Sequence, residues 1–393
     1  MFAEAPDITQ ARFDRARIST LIQTTQPDDP LAILRPEVLR RTADGFLRGF
    51  PGQVSYAVKA NPATDILRVL VHAGVTTFDV ASVAEMHAVR DALPNARLHY
   101  HNPVRSLDEI AAAKALGVAS WSVDRLSELD KLGQLPADTQ IAVRLSLKRG
   151  GGAYDFGSKF GASPDVAEQL LREGVARGMT PALTFHPGTQ CTDPASWADY
   201  IATCADIAER AGVKLAALNV GGGFPSLPTG GAVLRQHLFE TIDTATRTHF
   251  ADHCPKLWCE PGRAMVAEAM WLLLRVKARG AGALTLNDGL YGALGEWRDM
   301  PVPSRQIALT AQGQRVTGAG QSFTIFGPTC DSLDRVPDPW VLPAGIADGD
   351  YILITDAGAY STALVTPFNG YGTRDLLNLA SVSEHAGQCR LAG

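Results

Sequence analysis

Eight short, β-rich apolar runs alternate with helix-patterned stretches through the first two thirds of this chain, and that rhythm is its tightest constraint. The runs are Val54–Val58, Thr76–Val80, Arg97–His101, Ser120–Asp124, Ile141–Leu147, Ala182–His186, Leu215–Val220 and Lys256–Glu260. Helical patterning fills the gaps at Ala63–Ala73, Val83–Ala92, Leu107–Leu116, Pro164–Arg177 and Pro194–Ala211. Pro164 and Pro194 suit first-turn positions, with Ser163 and Asp193 as caps. Strand alternating with helix specifies parallel βα units, and eight of them close into a (β/α)8 TIM-like barrel, an α/β fold. The rhythm places this barrel at residues 36–265.

Beyond it the pattern changes. Leu272–Arg279, Leu284–Asn287, Gln306–Thr310, Ser322–Phe326 and Tyr351–Asp356 are strand-like, separated by turns such as Asp348-Gly349-Asp350. Residues 266–393, together with 1–35, read as a mostly antiparallel sandwich- or barrel-like β domain that takes a strand from the first 30 residues. A chain that is 46% hydrophobic and 20% charged has ample core for two such domains. Its net charge of -5, with no basic stripe, argues against a nucleic-acid partner. The most apolar segment, Ala264–Val276, is broken by Glu268 and Arg275 and is too short to span a bilayer. Met1–Gln10 carries no apolar core of a secretory signal. Cysteines 191, 204, 254, 259, 330 and 389 show neither CxxC pairs nor zinc-ligand spacing. We therefore expect no metal site, no membrane partner and a reducing, cytoplasmic setting.

In a barrel of this kind, polar residues that close the strands gather at one mouth, where active sites sit. Lys59 follows the first run, Asp79 and Ser82 the second, His101 and Asn102 the third. Arg144 lies in the fifth, His186 ends the sixth, Gly221-Gly222-Gly223 follows the seventh, and Glu260 with Arg263 closes the eighth. Each alone is usually a capped turn or a satisfied core polar group; their convergence calls for chemistry. A partly desolvated lysine at a strand end is a nucleophilic amine, able to condense with an aldehyde such as that of pyridoxal 5'-phosphate (PLP). The glycine run suits a phosphate cradle, with Arg263 adding a charge-assisted contact. A carboxylate such as Glu260 keeps a pyridine nitrogen protonated, although beside Arg263 it reads equally as an ion pair. His186 suits ring stacking, with a satisfied core histidine as the competing reading, and Thr189 suits a phosphate contact. In Gly327-Pro328-Thr329-Cys330-Asp331-Ser332-Leu333-Asp334 a turn presents a thiol, able to protonate a carbanion, and a carboxylate, able to hold a substrate cation. Tyr360 is a candidate phosphate donor.

The ordered motifs YAVKANP, FDVAS, FHPGTQ, GGGFP, EPGR, GPTCDSLD, DAGAYS and FNGY, over roughly residues 54 to 372, resemble the fold-type III PLP decarboxylases, the ornithine, lysine and diaminopimelate decarboxylase group. The resemblance implies a barrel followed by a β domain, in a homodimer with shared active sites. It implies that Lys59 is the Schiff-base lysine, that His186 stacks on the PLP ring and that Glu260 binds its nitrogen. Thr189, Gly222, Gly223, Gly262, Arg263 and Tyr360 would hold the phosphate, and Asp79 and Arg144 would complete the cofactor contacts. Cys330, the proton donor, and Asp331 would come from the partner subunit. Aspartate after the cysteine resembles the ornithine/lysine branch, whose product is a diamine for polyamine biosynthesis. Glu296 or Asp299 would supply a further acidic contact to substrate. The chain departs from the family's pattern at Trp297 and Arg298, bulky and cationic where a diamine end is received, so a modified or carboxylated diamino acid is the alternative substrate. An amino-acid racemase is disfavoured by Glu260, since an arginine normally faces the ring nitrogen there. A silent regulatory homologue is disfavoured by the presence of Lys59, Cys330 and Arg263.

Overall fold

The computed structural model describes residues 7–136, 139–147, 159–227, 231–251, 253–299, 305–373 and 376–383. The chain forms two compact units, one spanning Arg40–Val266 and the other built from the described residues on either side of it.

The Arg40–Val266 unit is a closed parallel barrel. Its strands are β1 (Gln53–Val54 with Tyr56–Ala57), β2 (Thr77–Val80), β3 (Arg97–Tyr100), β4 (Ser120–Val123), β5 (Gln140–Arg144), β6 (Thr180–Thr184), β7 (Ala217–Asn219) and β8 (Lys256–Cys259). Neighbours in sequence are neighbours in the sheet, and β1 closes the ring by pairing Gln53 with Trp258 of β8 and Tyr56 with Phe78 of β2. The Ser55 N–H donates to the Cys259 carbonyl at 2.9 Å and carries the ladder across the break in β1. Every residue of β2 and of β4 is buried, as expected of parallel strands covered on both faces.

The connecting helices begin where their caps stand. Ser163 and Asp193 accept from the first-turn N–H groups of Pro164–Ala176 and Pro194–Ala211, and Ser106 forms a reciprocal capping box with Glu109. Pro194–Ala211 buries Trp197, whose ring lies 5.3 Å from Phe224. Inside the barrel, Ala142, Ala182 and Ala217 leave room for the Trp258 ring, which contacts His99 at 4.5 Å. This floor of the barrel is apolar on one side and polar above it.

The second unit is a mixed, mostly antiparallel sheet. Gln306–Leu309, Tyr351–Ile354, Met270–Gly280, Ala283–Leu286, Gly320–Phe326 and Trp340–Pro343 follow one another across it. Leu31–Leu34 pairs antiparallel with Met270–Gly280 and parallel with Leu376–Asn378. The twofold alternation of strands sorts residues between two cores. Met270, Leu272, Leu274 and Val276 enter one with Phe323, Ile325 and Ile352; Trp271 and Leu273 enter the other with Ile33, Tyr351 and Leu353.

The start of the chain differs from expectation. Asp7–Thr25 is a helix and the strand begins only at Leu31. The β-branched run Ile18-Ser-Thr-Leu-Ile-Gln-Thr-Thr25 reads locally as strand, but Ile18, Leu21 and Ile22 supply a narrow helical stripe that packs on the second core. Burial overrides local preference there. Among the described residues, no helix is long and apolar enough to cross a membrane.

A buried ion pair fastens this helix. Arg35 Nε donates to Asp14 Oδ2 at 2.7 Å while the guanidinium lies 4.3 Å from the Trp271 ring centroid. Asp14→Ala leaves that guanidinium without its carboxylate and is expected to destabilise the sheet unit by about 3–5 kcal/mol. Urea unfolding followed by Trp fluorescence checks this; an unchanged midpoint contradicts it.

Candidate active site

Lys59, Asp79, His101, Arg144, His186 and Glu260 line one hollow of about 210 Å³ at the mouth where the barrel strands end. Each arrives from a different strand end. Lys59 sits on the one-turn helix Val58–Ala60 that terminates β1, and ahead of Thr64–His72 the Asn61 side chain accepts from the Ala63 N–H at 3.1 Å. The lysine is exposed in the chain, not partly desolvated as its strand-end position suggests, because this extra turn carries it clear of the buried strand.

Glu260 is the most constrained group. His101 Nδ1 and Asn219 Nδ2 both hydrogen-bond its Oε1. Burial alone would raise its pKa, but His101, Asn219 and Lys59 outweigh burial and hold the carboxylate well below its ordinary range. Asp79 shows the opposite outcome: burial and the neighbouring Glu260 charge push it up. His101 is raised, burial being overcome by Glu260. The two carboxylates and His101 bring ligand atoms within 4.8 Å of one another. Both nitrogens of His101 are already engaged, one by Glu260 and one by Ser120 Oγ at 2.9 Å, so the cluster is a hydrogen-bonded pair rather than a metal cage.

His186 is held neutral. Its burial, with Lys59 and Arg144 nearby, lowers it to about 3. The Gly188 N–H donates to Nδ1 at 3.2 Å, which fixes the proton on Nε2. Beside it runs the glycine loop. A Cβ on Gly222 would lie 2.7 Å from the Glu260 carbonyl and 3.1 Å from His186 Nε2; Gly223, at φ +83°, would meet the Gly188 carbonyl at 2.4 Å. Among the described residues nothing accepts from the Gly222 and Gly223 N–H groups. Gln190 ties the loop after His186 to Ser226 through two hydrogen bonds, 3.1 and 2.8 Å. Thr189 lies between them, and Gly262 with the buried Arg263 follows Glu260.

Cys330, Asp331, Glu296, Asp299 and Tyr360 belong to the sheet unit. There Cys330 is exposed, and its N–H and Sγ both face Asn369 Oδ1, at 3.2 and 3.3 Å. Asp331 accepts from the Tyr291 hydroxyl and from the Leu333 N–H, which together lower its pKa. Asp334, in contrast, is a structural clamp: it is buried and accepts from Leu290 N and Thr329 Oγ1, both at 2.8 Å. Glu296 lies in the short turn Gly295–Arg298, and Asp299 pairs with Arg298 at 3.3 Å. Trp297 packs 5.1 Å from Trp340. Tyr360 has a positive φ of 63° in the DAGAYS turn.

The family profile described as pyridoxal-dependent decarboxylase, pyridoxal binding domain, matches residues 37–267. The chain is 30% identical over 328 residues to the lysine/ornithine decarboxylase of Selenomonas ruminantium, covering 81% of each. It is 29% identical over 395 residues to the ornithine decarboxylase of Panagrellus redivivus, covering 91% of this chain and 88% of that one. The crystal structure of the lysine/ornithine decarboxylase from Vibrio vulnificus complexed with putrescine superimposes with a TM-score of 0.78 at 26% identity, over 93% of this chain and 98% of that one.

The chain belongs to the pyridoxal-dependent decarboxylase family.

Within that family it falls in the ornithine/lysine branch of the fold-type III enzymes, as a PLP-dependent decarboxylase of basic amino acids. The residues present fit the cofactor. Glu260 offers a charged carboxylate and His186 a neutral ring to the hollow that Lys59 lines, and the glycine loop packs directly against both, too closely for a Cβ on Gly222. Sequence reasoning named His101 only as a polar strand end and met Asn219, Tyr291 and Asn369 only inside longer segments, with no role of their own. The Asn219-Val-Gly221 spacing was the available signal, since an Asx turn there presents its amide to the next strand end.

A pH effect follows from His186. Its folded value of about 3 lies below the free value of 6.5, so the unfolded chain takes up the proton first. The stability it contributes is full above pH 6.5 and is lost as pH falls toward 3. Buried His99, also lowered, acts in the same direction. In the cofactor-free protein His186→Gln is expected to flatten this acid-side decline, read as the urea midpoint against pH; an unchanged slope contradicts the assignment.

Proposed function

We propose that the enzyme decarboxylates L-ornithine or L-lysine to the diamine and CO2, with a homodimer supplying shared active sites. The observation that carries the reading is Glu260, a carboxylate kept charged in the same hollow as Lys59. Such a group favours decarboxylation over racemisation. Lys59 would hold the cofactor through its aldehyde group. Glu260, kept charged, would hold a proton on the ring nitrogen, and neutral His186 would stack on the ring. When bound, PLP supplies a protonated ring that takes up the electron pair left by the departing carboxylate.

The N–H groups of Gly222 and Gly223, with Thr189, Gly262, Arg263 and Tyr360, would hold the phosphate, and Asp79 and Arg144 would complete the cofactor contacts. Cys330, brought by the partner subunit, gives its thiol proton to the substrate Cα. Its exposure on a loop clamped by Asp334 supports that role. Asp331, beside it and stabilised as an anion by Tyr291, receives the substrate's distal ammonium. Glu296 adds negative charge nearby in sequence terms only, and Asp299 is committed to Arg298. The diamine product suits polyamine synthesis, and five described cysteines without disulfides suit a cytoplasmic setting.

A panel of L-ornithine, L-lysine, L-arginine, diaminopimelate and carboxylated diamino acids, followed by CO2 release, tests the substrate. Removing the Asp331 carboxylate forfeits a hydrogen-bonded charge pair of about 1.5–3 kcal/mol, roughly 10- to 150-fold in kcat/KM. Asp331→Ala is expected to lose that factor for the diamino acids. Turnover of the carboxylated compounds in preference to ornithine and lysine would overturn the substrate assignment.

A further inference from the structure

A line of hydrogen bonds descends through the barrel interior from Glu260. His101 Nδ1 meets the carboxylate, and His101 Nε2 lies 2.9 Å from Ser120 Oγ. The same hydroxyl lies 2.7 Å from His99 Nδ1, and His99 Nε2 lies 3.2 Å from the Gln53 amide Nε2. His99 and Ser120 are 0% exposed and His101 6%. Gln53 stands at the start of β1 and, with Trp258 and Lys256, lines a second hollow at the opposite mouth of the barrel. Residues from three strands and from the end of a fourth thus connect the two mouths.

The protons on this line can be counted. Gln53 donates to His99 Nε2; His99 Nδ1–H then donates to Ser120, the Ser120 O–H to His101 Nε2, and His101 Nδ1–H to Glu260. Every donor has one acceptor and both imidazoles are neutral. A second arrangement satisfies the line equally. A proton enters at His99 Nε2 from the lower mouth, His99 releases its Nδ1 proton to Ser120, and Ser120 passes its own to His101 Nε2. His101 becomes an imidazolium, His99 and Ser120 end neutral, and the Gln53 amide turns its oxygen to His99. The two arrangements differ by one proton, and the single hydroxyl of Ser120 forces the three steps to move together.

We infer that Gln53, His99, Ser120 and His101 form a buried positioning relay that sets the charge and orientation of Glu260 from the far mouth of the barrel. The inference rests on the reading of Glu260 as the partner of the ring nitrogen. The charged and titratable groups facing the relay agree with it. Glu260 and Asp79 favour a proton on His101, against burial and Arg105, while burial, His101 and Arg97 disfavour one on His99 against Glu260. Lys59, Arg144 and His186 share the upper hollow with Glu260 and interact with its charge. None of the relay residues needs to touch substrate.

The test uses Ser120→Ala, with Ser120→Thr restoring the hydroxyl. In the cofactor-free full chain, the titration of His101 is followed by imidazole 15N shifts. Loss of the acceptor for a charged N–H is expected to lower the proton affinity of His101 about tenfold, and threonine to restore it. In the PLP-loaded enzyme, Ser120→Ala is expected to lower kcat about 10- to 100-fold, as loss of a partner that orients a reactive group does, with KM little changed. The pH profiles of kcat and of the cofactor's visible absorbance move with it. An unchanged His101 titration and an unchanged pH profile in a folded, PLP-loaded Ser120→Ala protein overturn the relay. Glu260→Gln separates the two levels. If it cripples turnover while Ser120→Ala is silent, the relay alone fails; if it leaves turnover and spectrum intact, the role of Glu260 fails and the relay with it.

Discussion

A carboxylate buried at a barrel mouth has to be held charged by its surroundings, and Glu260 is held from two sides. His101 brings a positive or donating imidazole from the end of β3, and Asn219 brings an amide from the end of β7. The same Asn219 accepts the Gly221 N–H at 2.9 Å, so one side chain fixes both the carboxylate and the entry to the glycine loop. In the proposed reading that double use would link a charged partner for a ring nitrogen to a backbone cradle for a phosphate. The glycine loop in turn abuts His186 so closely that a methyl group on Gly222 has no room. Electrostatics and packing therefore enforce one geometry, the preorganisation that makes such charge effective in a site of low dielectric.

Much of this was legible in the order of residues. The eight strand runs and the caps Ser163 and Asp193 follow from period and turn chemistry, which are local, and the structure has them within a few residues. Lys59, His186 and Glu260 were legible because each closes a strand, and a barrel gathers strand ends at one mouth. What was not legible depends on contacts far apart in sequence. The helix Asp7–Thr25 has β-branched residues where a strand would put them, and only packing of Ile18, Leu21 and Ile22 on the sheet makes it helical. The exposure of Lys59 turns on one extra 3-10 turn. His101 reads as an ordinary strand-end polar group until Glu260, 159 positions away, is seen beside it.

The sheet unit makes the same point about acids. Asp288 and Asp334 are buried and spend their oxygens on backbone N–H groups and threonine hydroxyls, so they shape loops. Asp331, three residues before Asp334, keeps a more open position and a tyrosine partner. Spacing alone does not separate a clamp from a ligand; burial and hydrogen-bond count do. Trp297 and Arg298, odd against the family's pattern, each have a partner within the sheet unit. Trp297 packs against Trp340, and Arg298 lies beside Asp299 in an exposed pair.

The account stands on a covalent attachment at Lys59. Borohydride reduction of the PLP-loaded enzyme, followed by peptide mapping, reads the attachment point directly. The account predicts a pyridoxyl group on the ε-nitrogen of Lys59 and on no other lysine. A label at another lysine, or CO2 release from a protein that carries none, would contradict it.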